Sequence, residues 1–136
     1  MSDVRYLTRE DIEAYHAADF LRRGQSPAPV ISEEKLEAAL DRPQASAFGE
    51  DAYPSLAEKA AAYLQAFVIG HPFMDGNKRA GLAACLLFLE FNDVSKRVDQ
   101  PALVDLTLRV ATGEIREVAD IAQRLRALYS PDLDDR

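Results

Sequence analysis

The sequence predicts an all-α protein, a compact single domain of about six helices around a buried central helix. Apolar residues recur at helical spacing along most of the chain, and residues that can cap a helix stand before several of these segments. We find no series of alternating strands, no internal repeat and no low-complexity tract. The 136 residues, 48% of them hydrophobic, suit one domain with a continuous core.

We assign residues 1–136 to this one domain, with a core from about 6 to 128. The first helix begins at Thr8, which can cap it with the acid three residues later, and it ends near Gly24 because two prolines follow. Ser32 opens the second helix, whose two first-turn acids favour the positive end of the helix dipole, and Pro43 stops it.

The stretch from Arg42 to Pro54 reads as a loop that can contain a short hairpin. Ser55 and Glu58 form a capping box for a third helix that runs towards Gly70. The following apolar segment, Ala80 to Phe91, is hydrophobic nearly all round, which is typical of a helix at the centre of a domain.

Two further helices complete the predicted domain. Pro101 can occupy the first turn of the fifth, and Gly113 terminates it. The last helix carries apolar residues from Ile115 to Leu128 at helical spacing. The polar, acidic tail at 131–136 is expected to be disordered.

Composition narrows the functional classes. A formal net charge of −7 argues against a surface that binds nucleic-acid phosphates. The single cysteine, Cys85, lies in an apolar run, which predicts a buried thiol and a reducing compartment. We see no secretory signal and no apolar run of membrane-spanning length, and therefore expect a cytoplasmic protein without a membrane partner.

One polar segment, residues 71–79 (HPFMDGNKR), stands between two strongly apolar helices. Backbone N–H groups at the start of the following helix can converge on an anion, for which phosphate is the natural candidate. Gly76 permits close approach of the backbone, Asn77 can donate a side-chain N–H, and Lys78 and Arg79 supply positive charge.

Three other residues of this segment have chemical or structural uses. A carboxylate such as that of Asp75 would repel a neighbouring anion. Its position is explained if Mg²⁺ bridges the carboxylate and the phosphate oxygens. His71 can accept a proton from an attacking hydroxyl near neutral pH. Phe73 is expected to point into the core and fix the loop.

Each residue also has a purely structural interpretation. His71 follows Gly70 and can bond the last carbonyls of a helix, whereas Asp75 can be the N-cap of the next one. Asn77 or Arg79 can merely tie loops together, and Lys78 can be a solvated loop charge. His16, the other histidine, lies on the apolar face of the first helix, and we expect a core or partner-facing residue without a neighbouring site.

Other phosphate and catalytic motifs are not found. The sequence contains no phosphate loop of the Walker type, no strand-linked dinucleotide fingerprint and no zinc-like cysteine and histidine spacing. It also contains no nucleophile turn of the hydrolase type.

Residues 71–79 resemble the Fic/Doc family, whose signature is H-x-F-x-[DE]-G-N-[GK]-R. The resemblance covers roughly Tyr6 to Leu128 and favours the death-on-curing (Doc) branch. It implies a compact helical domain in which His71 activates a target hydroxyl, Asp75 binds Mg²⁺, and residues 76–79 hold the phosphates of ATP.

The sequence departs from the adenylyl-transferring branch of that family at two positions. Lys78 stands where that branch has a second glycine, and Leu82 replaces its final arginine. These departures are similar to the Doc branch, which implies transfer of the γ-phosphate of ATP to a Ser or Thr hydroxyl. Gly76, where that branch usually carries alanine, does not fit this pattern.

The resemblance also implies partners. Doc-like proteins are toxins of type II toxin–antitoxin systems: they block translation by phosphorylating elongation factor Tu, and a Phd-like antitoxin silences them. The self-inhibitory motif [ST]-x-x-x-E-[GN] is not intact, since Ser46 to Asp51 ends in Asp, so we expect inhibition in trans. Tyr15, Phe20 and Leu36 are either a docking groove for that antitoxin or ordinary core.

Two other functions remain open. One is an adenylyl- or other nucleotidyl-transferase acting on a protein hydroxyl. The other is a non-catalytic module that binds nucleotide or antitoxin. A nucleotidyl-transferase would transfer the α-phosphate of ATP to its target, whereas a kinase transfers the γ-phosphate. For a non-catalytic module, replacing His71 with alanine would leave the biological effect unchanged.

Overall fold

The computed structural model describes residues 3–136 and confirms the all-α class. Six α-helices, a 3₁₀ turn and a two-stranded hairpin occupy the described residues. In chain order they are α1 (Arg9–Arg22), α2 (Glu33–Asp41), the 3₁₀ turn (Arg42–Gln44), β1 (Ser46–Ala47), β2 (Glu50–Asp51), α3 (Leu56–Gly70), α4 (Asn77–Phe91), α5 (Gln100–Ala111) and α6 (Val118–Tyr129).

The predicted caps form. The Thr8 hydroxyl accepts a hydrogen bond from the backbone N–H of Asp11, and the Asp11 carboxylate accepts one from the backbone N–H of Thr8. Ser32 and Ser55 cap α2 and α3, and each hydroxyl accepts from the backbone N–H three positions on. The capping box predicted at Ser55 does not close, because the Glu58 carboxylate accepts from the Ser55 hydroxyl at 2.7 Å. These short-range signals therefore fix where three of the helices begin.

The central helix is α3, and the expectation that Ala80 to Phe91 occupies the centre was wrong. Helix α3 packs against α2, α4, α5, α6 and the 3₁₀ turn, whereas α4 leaves Leu82, Leu86 and Leu87 only partly buried. Both segments are apolar all round, so periodicity alone does not rank them. Small residues decide the packing: a Cβ at Gly81 would lie 2.8 Å from Val68 Cγ2, so α4 approaches α3 closely only because this residue is glycine.

Three further predictions need correction. The tail at 131–136 is ordered: Leu133 is fully buried, and the Arg136 carbonyl accepts a hydrogen bond of 3.1 Å from the Ala57 N–H. Helix α6 begins at Val118, so Ile115 is buried just outside it. Helix α4 begins at Asn77 instead of near Ala80.

The segment between Arg42 and Pro54 contains the hairpin, residues 46–51, in which β1 and β2 are antiparallel. All its residues are exposed, and Phe48 at its tip is completely exposed at a φ of 54°. Beneath it lies Lys59 of α3, 1% exposed, whose ammonium donates to the Asp51 carboxylate (3.1 Å) and to the Tyr53 carbonyl (2.6 Å). One buried cation thus ties the hairpin to the core.

Cys85 is fully buried, as predicted, and burial raises the pKa of its thiol to about 12. The thiol is therefore protonated at neutral pH and is no nucleophile. Across residues 3–136, none of the helices combines the length and the apolar character that crossing a membrane requires.

Candidate active site at the start of helix α4

Residues 71–79, the motif loop, connect α3 to α4 and begin the latter. The extended segment 29–31 lies along the loop and is hydrogen-bonded to it. The N–H of Ile31 donates to the Pro72 carbonyl and the N–H of Met74 to the Pro29 carbonyl, both at 2.9 Å, and Val30 forms a β-bridge with Phe73. The loop backbone is therefore held by hydrogen bonds to the neighbouring segment.

His71 is the C-cap of α3, in a left-handed conformation with φ of 51°. Its backbone N–H donates to the Phe67 carbonyl at 3.2 Å, so the helix-ending role is carried by the backbone. The imidazole is exposed, and its Nδ1 lies 3.5 Å from Asn77 Nδ2, at the outer limit of a hydrogen bond. Left-handed residues other than glycine cost free energy and concentrate at functional sites.

Asn77 and Phe73 lock the loop internally. The Asn77 carbonyl Oδ1 accepts from the Phe73 N–H at 3.0 Å, and Nδ2 donates to the Phe73 carbonyl at 2.8 Å. Phe73 is 2% exposed and Asn77 is 7% exposed. One of the two Nδ2 hydrogens is thus used on the Phe73 carbonyl, and donation to phosphate by the other stays a prediction. The backbone N–H of Asn77 remains available to a ligand.

His16 is buried in the core, as predicted, but it packs against the loop, so the expectation that no site is near it was wrong. Its ring stacks on Phe73 with centroids 3.7 Å apart, and it is 4% exposed. Its Nε2 donates to the Asp75 carbonyl at 2.9 Å, since a carbonyl can only accept. The sequence does carry a signal for this role, because His16 and Asp19 are polar residues on the buried face of α1.

Gly76 is the N-cap of α4, with φ of 82°. A Cβ there would lie 2.9 Å from Phe20 Cε2 and 3.2 Å from His16 Nε2, so both conformation and space favour glycine. The next three N–H groups, those of Asn77, Lys78 and Arg79, belong to the first turn and donate to no other residue in the described chain. Such groups, with the positive end of the helix dipole, are suited to bind an anion.

Two cations accompany these N–H groups. Lys78 is exposed, whereas Arg79 is half-buried and its Nε lies 2.5 Å from Asp19 Oδ2. The Arg79 guanidinium also lies 5.2 Å from the centre of the Phe20 ring. Burial acts to raise the pKa of Asp19, but hydrogen bonds from Arg79 and Arg23 outweigh it and hold that pKa below its usual value.

Asp75 is exposed, and one carboxylate oxygen accepts from the Gly76 N–H at 2.7 Å. It is not the N-cap of α4, a position that Gly76 takes without a side-chain bond. Within residues 3–136 no group of three or more His, Cys, Asp or Glu is arranged to hold a metal ion. The second oxygen of Asp75 still fits Mg²⁺, because this ion commonly takes one protein carboxylate and completes its shell with water and substrate phosphate.

The three apolar residues predicted to form either a docking groove or ordinary core differ in burial. Phe20 and Leu36 are 4% and 0% exposed and belong to the interior, whereas Tyr15 is half-buried. A groove on α1 and α2 built from all three is therefore excluded.

One fixed loop of this helical domain thus carries an exposed imidazole, an acid and the N-terminus of a helix, which is suited to bind an anion. A family model described as the Fic/DOC family matches residues 6–89. The chain belongs to the Fic/DOC family.

Two relatives identify the branch to which it is similar. The protein kinase doc of Escherichia phage P1 is 40% identical over 126 residues, which cover 93% of this chain and 97% of that protein. The toxin Doc of Mycolicibacterium smegmatis is 42% identical over 96 residues, 71% of each chain.

Proposed function

We propose that this chain is a Doc-like toxin that transfers the γ-phosphate of ATP to a Ser or Thr hydroxyl of elongation factor Tu, and so blocks translation. One observation carries the proposal most: the exposed His71 and the three free N–H groups at the start of α4 belong to one loop that its neighbours hold in place. The similarity to a protein kinase doc over 93% of the chain supports the choice of reaction.

His71 acts as the general base. Its ring accepts the proton of the target hydroxyl as that oxygen bonds to the γ-phosphorus, and the bond from phosphorus to the bridging oxygen breaks to release ADP. No covalent intermediate on the enzyme is needed. The exposed position of His71 at the end of α3 leaves the imidazole accessible to a protein substrate.

The phosphates bind at the start of α4. The N–H groups of Asn77, Lys78 and Arg79 supply donors, Gly76 lets the chain approach closely, and the two side-chain cations offset the developing charge. Asp75 holds Mg²⁺, which when bound neutralises charge on the phosphate oxygens.

Two residues favour phosphoryl over adenylyl transfer. Lys78 places an exposed cation in the first turn of α4, where the adenylyl-transferring branch has glycine. Leu82 is partly buried against the core and offers no charge where that branch has arginine. Both differences change the surroundings of the α-phosphate.

We further propose that the hairpin docks the target. All of its residues are exposed, and an extended segment of a partner can pair with the edge of such a hairpin. A crystal structure of the target complex is expected to show contacts with residues 46–51, and a complex without them would contradict this docking mode.

A Phd-like antitoxin is proposed to inhibit the toxin in trans, since Ser46 to Asp51 forms the hairpin and has Asp51 where a self-inhibitory motif ends in glycine or asparagine. The proposed reaction belongs to the bacterial cytoplasm, where ATP and elongation factor Tu are present. Co-expression with the cognate antitoxin is expected to relieve growth arrest by the wild-type chain; arrest that persists would contradict this regulation.

Intact-mass spectrometry of elongation factor Tu tests the reaction. After incubation with this protein, ATP and Mg²⁺, we expect a gain of about 80 Da, one phosphoryl group, that is lost with His71→Ala and with Asp75→Ala. A gain of about 329 Da would mark adenylyl transfer and contradict the reading of Lys78. No gain would contradict either the target or catalysis.

A further inference from the structure

Asp19 of α1 is a buried carboxylate that several cations share. Its side chain is 9% exposed, and Arg79 Nε lies 2.5 Å from Oδ2. Arg23 Nε lies 3.3 Å from both oxygens, and Arg22 Nη2 lies 3.6 Å from Oδ1. Three guanidinium groups around one carboxylate leave a local excess of positive charge in a chain whose formal net charge is −7.

Without a partner, the guanidinium of Arg79 would be electrostatically unfavourable at its position in α4. It is the third residue of α4, where the positive end of the helix dipole opposes a cation. A long side chain also loses rotamer freedom when it is fixed at one position. The short contact with Asp19 offsets both effects, and Phe20 supports the guanidinium from one face.

The contact with Asp19 also determines which nitrogens of the Arg79 guanidinium remain available to bind a ligand. Asp19 binds Nε, whereas Nη2 lies 3.3 Å from the place that a Cβ on Gly76 would take. Nη2 therefore lies beside Gly76, the N-cap of α4, which directly precedes the first-turn N–H groups. A planar guanidinium has five N–H donors, so one bond to Asp19 leaves donors for an oxyanion.

We propose that Asp19 is a positioning residue for the phosphate site: it binds Nε of Arg79 and directs the terminal nitrogens towards the phosphates of the nucleotide. This inference depends on the proposed nucleotide site. Asp19 does not contact the substrate, and its role goes beyond stabilising the packing of α1 on α4.

A double-mutant cycle on nucleotide affinity tests the assignment. The dissociation constant of a non-hydrolysable ATP analogue with Mg²⁺ is measured by calorimetry for the wild type, Asp19→Asn, Arg79→Gln and the double variant. Asp19→Asn keeps the volume and an acceptor, so the fold is expected to survive. Glu13→Gln, which removes another carboxylate of α1 that pairs with an arginine, is the control.

We expect Asp19→Asn to weaken binding about tenfold, roughly the effect of one charge-assisted hydrogen bond. The double variant is expected to bind as Arg79→Gln does, because Asp19 has no role once the guanidinium is gone. Glu13→Gln is expected to bind as the wild type does.

Two results would overturn the assignment while leaving the proposed function intact. One is unchanged or tighter binding by Asp19→Asn, which would mean that the carboxylate competes with phosphate for Arg79. The other is a full additional loss in the double variant. Failure of the wild type to bind the analogue would instead overturn the proposed nucleotide site, and this inference with it.

Discussion

The motif loop and the hairpin are both polar segments between apolar helices, yet they are built in opposite ways. The loop is fixed from several sides by Asn77, His16, Asp19 and the extended segment 29–31. The hairpin exposes every residue and is tied to the core by Lys59 from below. The difference matches what each is proposed to do: chemistry needs fixed distances, whereas docking needs a free edge.

Replacing His71 separates chemistry from structure most sharply. His71→Ala is expected to lower phosphoryl transfer by about 10²–10⁴-fold, because the general base is lost, while the exposed ring leaves stability nearly unchanged. Initial rates with labelled ATP, together with thermal unfolding, check this. Transfer at the wild-type rate would exclude a catalytic role.

Replacing Asn77 tests how rigidly the loop is fixed. Asn77→Ala leaves a buried N–H and a buried carbonyl of Phe73 without partners, so the free energy of unfolding is expected to fall by about 2–4 kcal/mol. The control Lys78→Ala, exposed and next in sequence, is expected to stay within about 0.5 kcal/mol of the wild type. Equal urea midpoints for the two variants would contradict the account of the loop.

Replacing Lys59 tests the anchor of the hairpin. Lys59→Met removes both contacts to residues 51–53, and amide exchange at Ala52, whose N–H donates to the Ala45 carbonyl, is expected to accelerate about tenfold. Affinity for nucleotide is expected to stay unchanged. Lys35→Met, at an exposed lysine, is the matched control. Exchange at the wild-type rate would show that Lys59 does not hold the hairpin.

The smallest expected effect is at the hairpin tip. Phe48 and Gly49 both have positive φ, a turn in which asparagine is preferred at the first position. Phe48→Asn is expected to stabilise the fold by up to about 1 kcal/mol and to reduce target modification, since the exposed ring is lost. Melting temperature and target KM are the measurements. Ile31→Asn, another exposed apolar residue, is the control; a stabilisation of the same size there would contradict the role of backbone strain.

The sequence predicts much of the fold because its signals are local. Thr8, Ser32 and Ser55 cap helices through residues three positions away, and Gly24 and Gly113 end them with positive φ, so pattern and structure agree. The choice of α3 as central helix and the burial of Leu133 depend on contacts between distant segments. No local pattern contains those contacts.

The same limit applies to the site. The motif identifies its residues by chemical type and spacing, but it does not show that Asn77 bonds to Phe73 or that His16 and Asp19 support the loop. His16 is 59 residues from Asp75 in the sequence, and Asp19 is 60 residues from Arg79. Tertiary packing alone brings them under the loop.

The central claim is that the motif loop is already shaped for phosphate. A crystal structure with Mg²⁺ and a non-hydrolysable ATP analogue tests it most directly. We expect phosphate oxygens within hydrogen-bond distance of the N–H groups of residues 77–79, Mg²⁺ on Asp75, and a loop backbone that moves by less than about 0.5 Å. Phosphates bound elsewhere, or a loop that refolds around them, would contradict the claim.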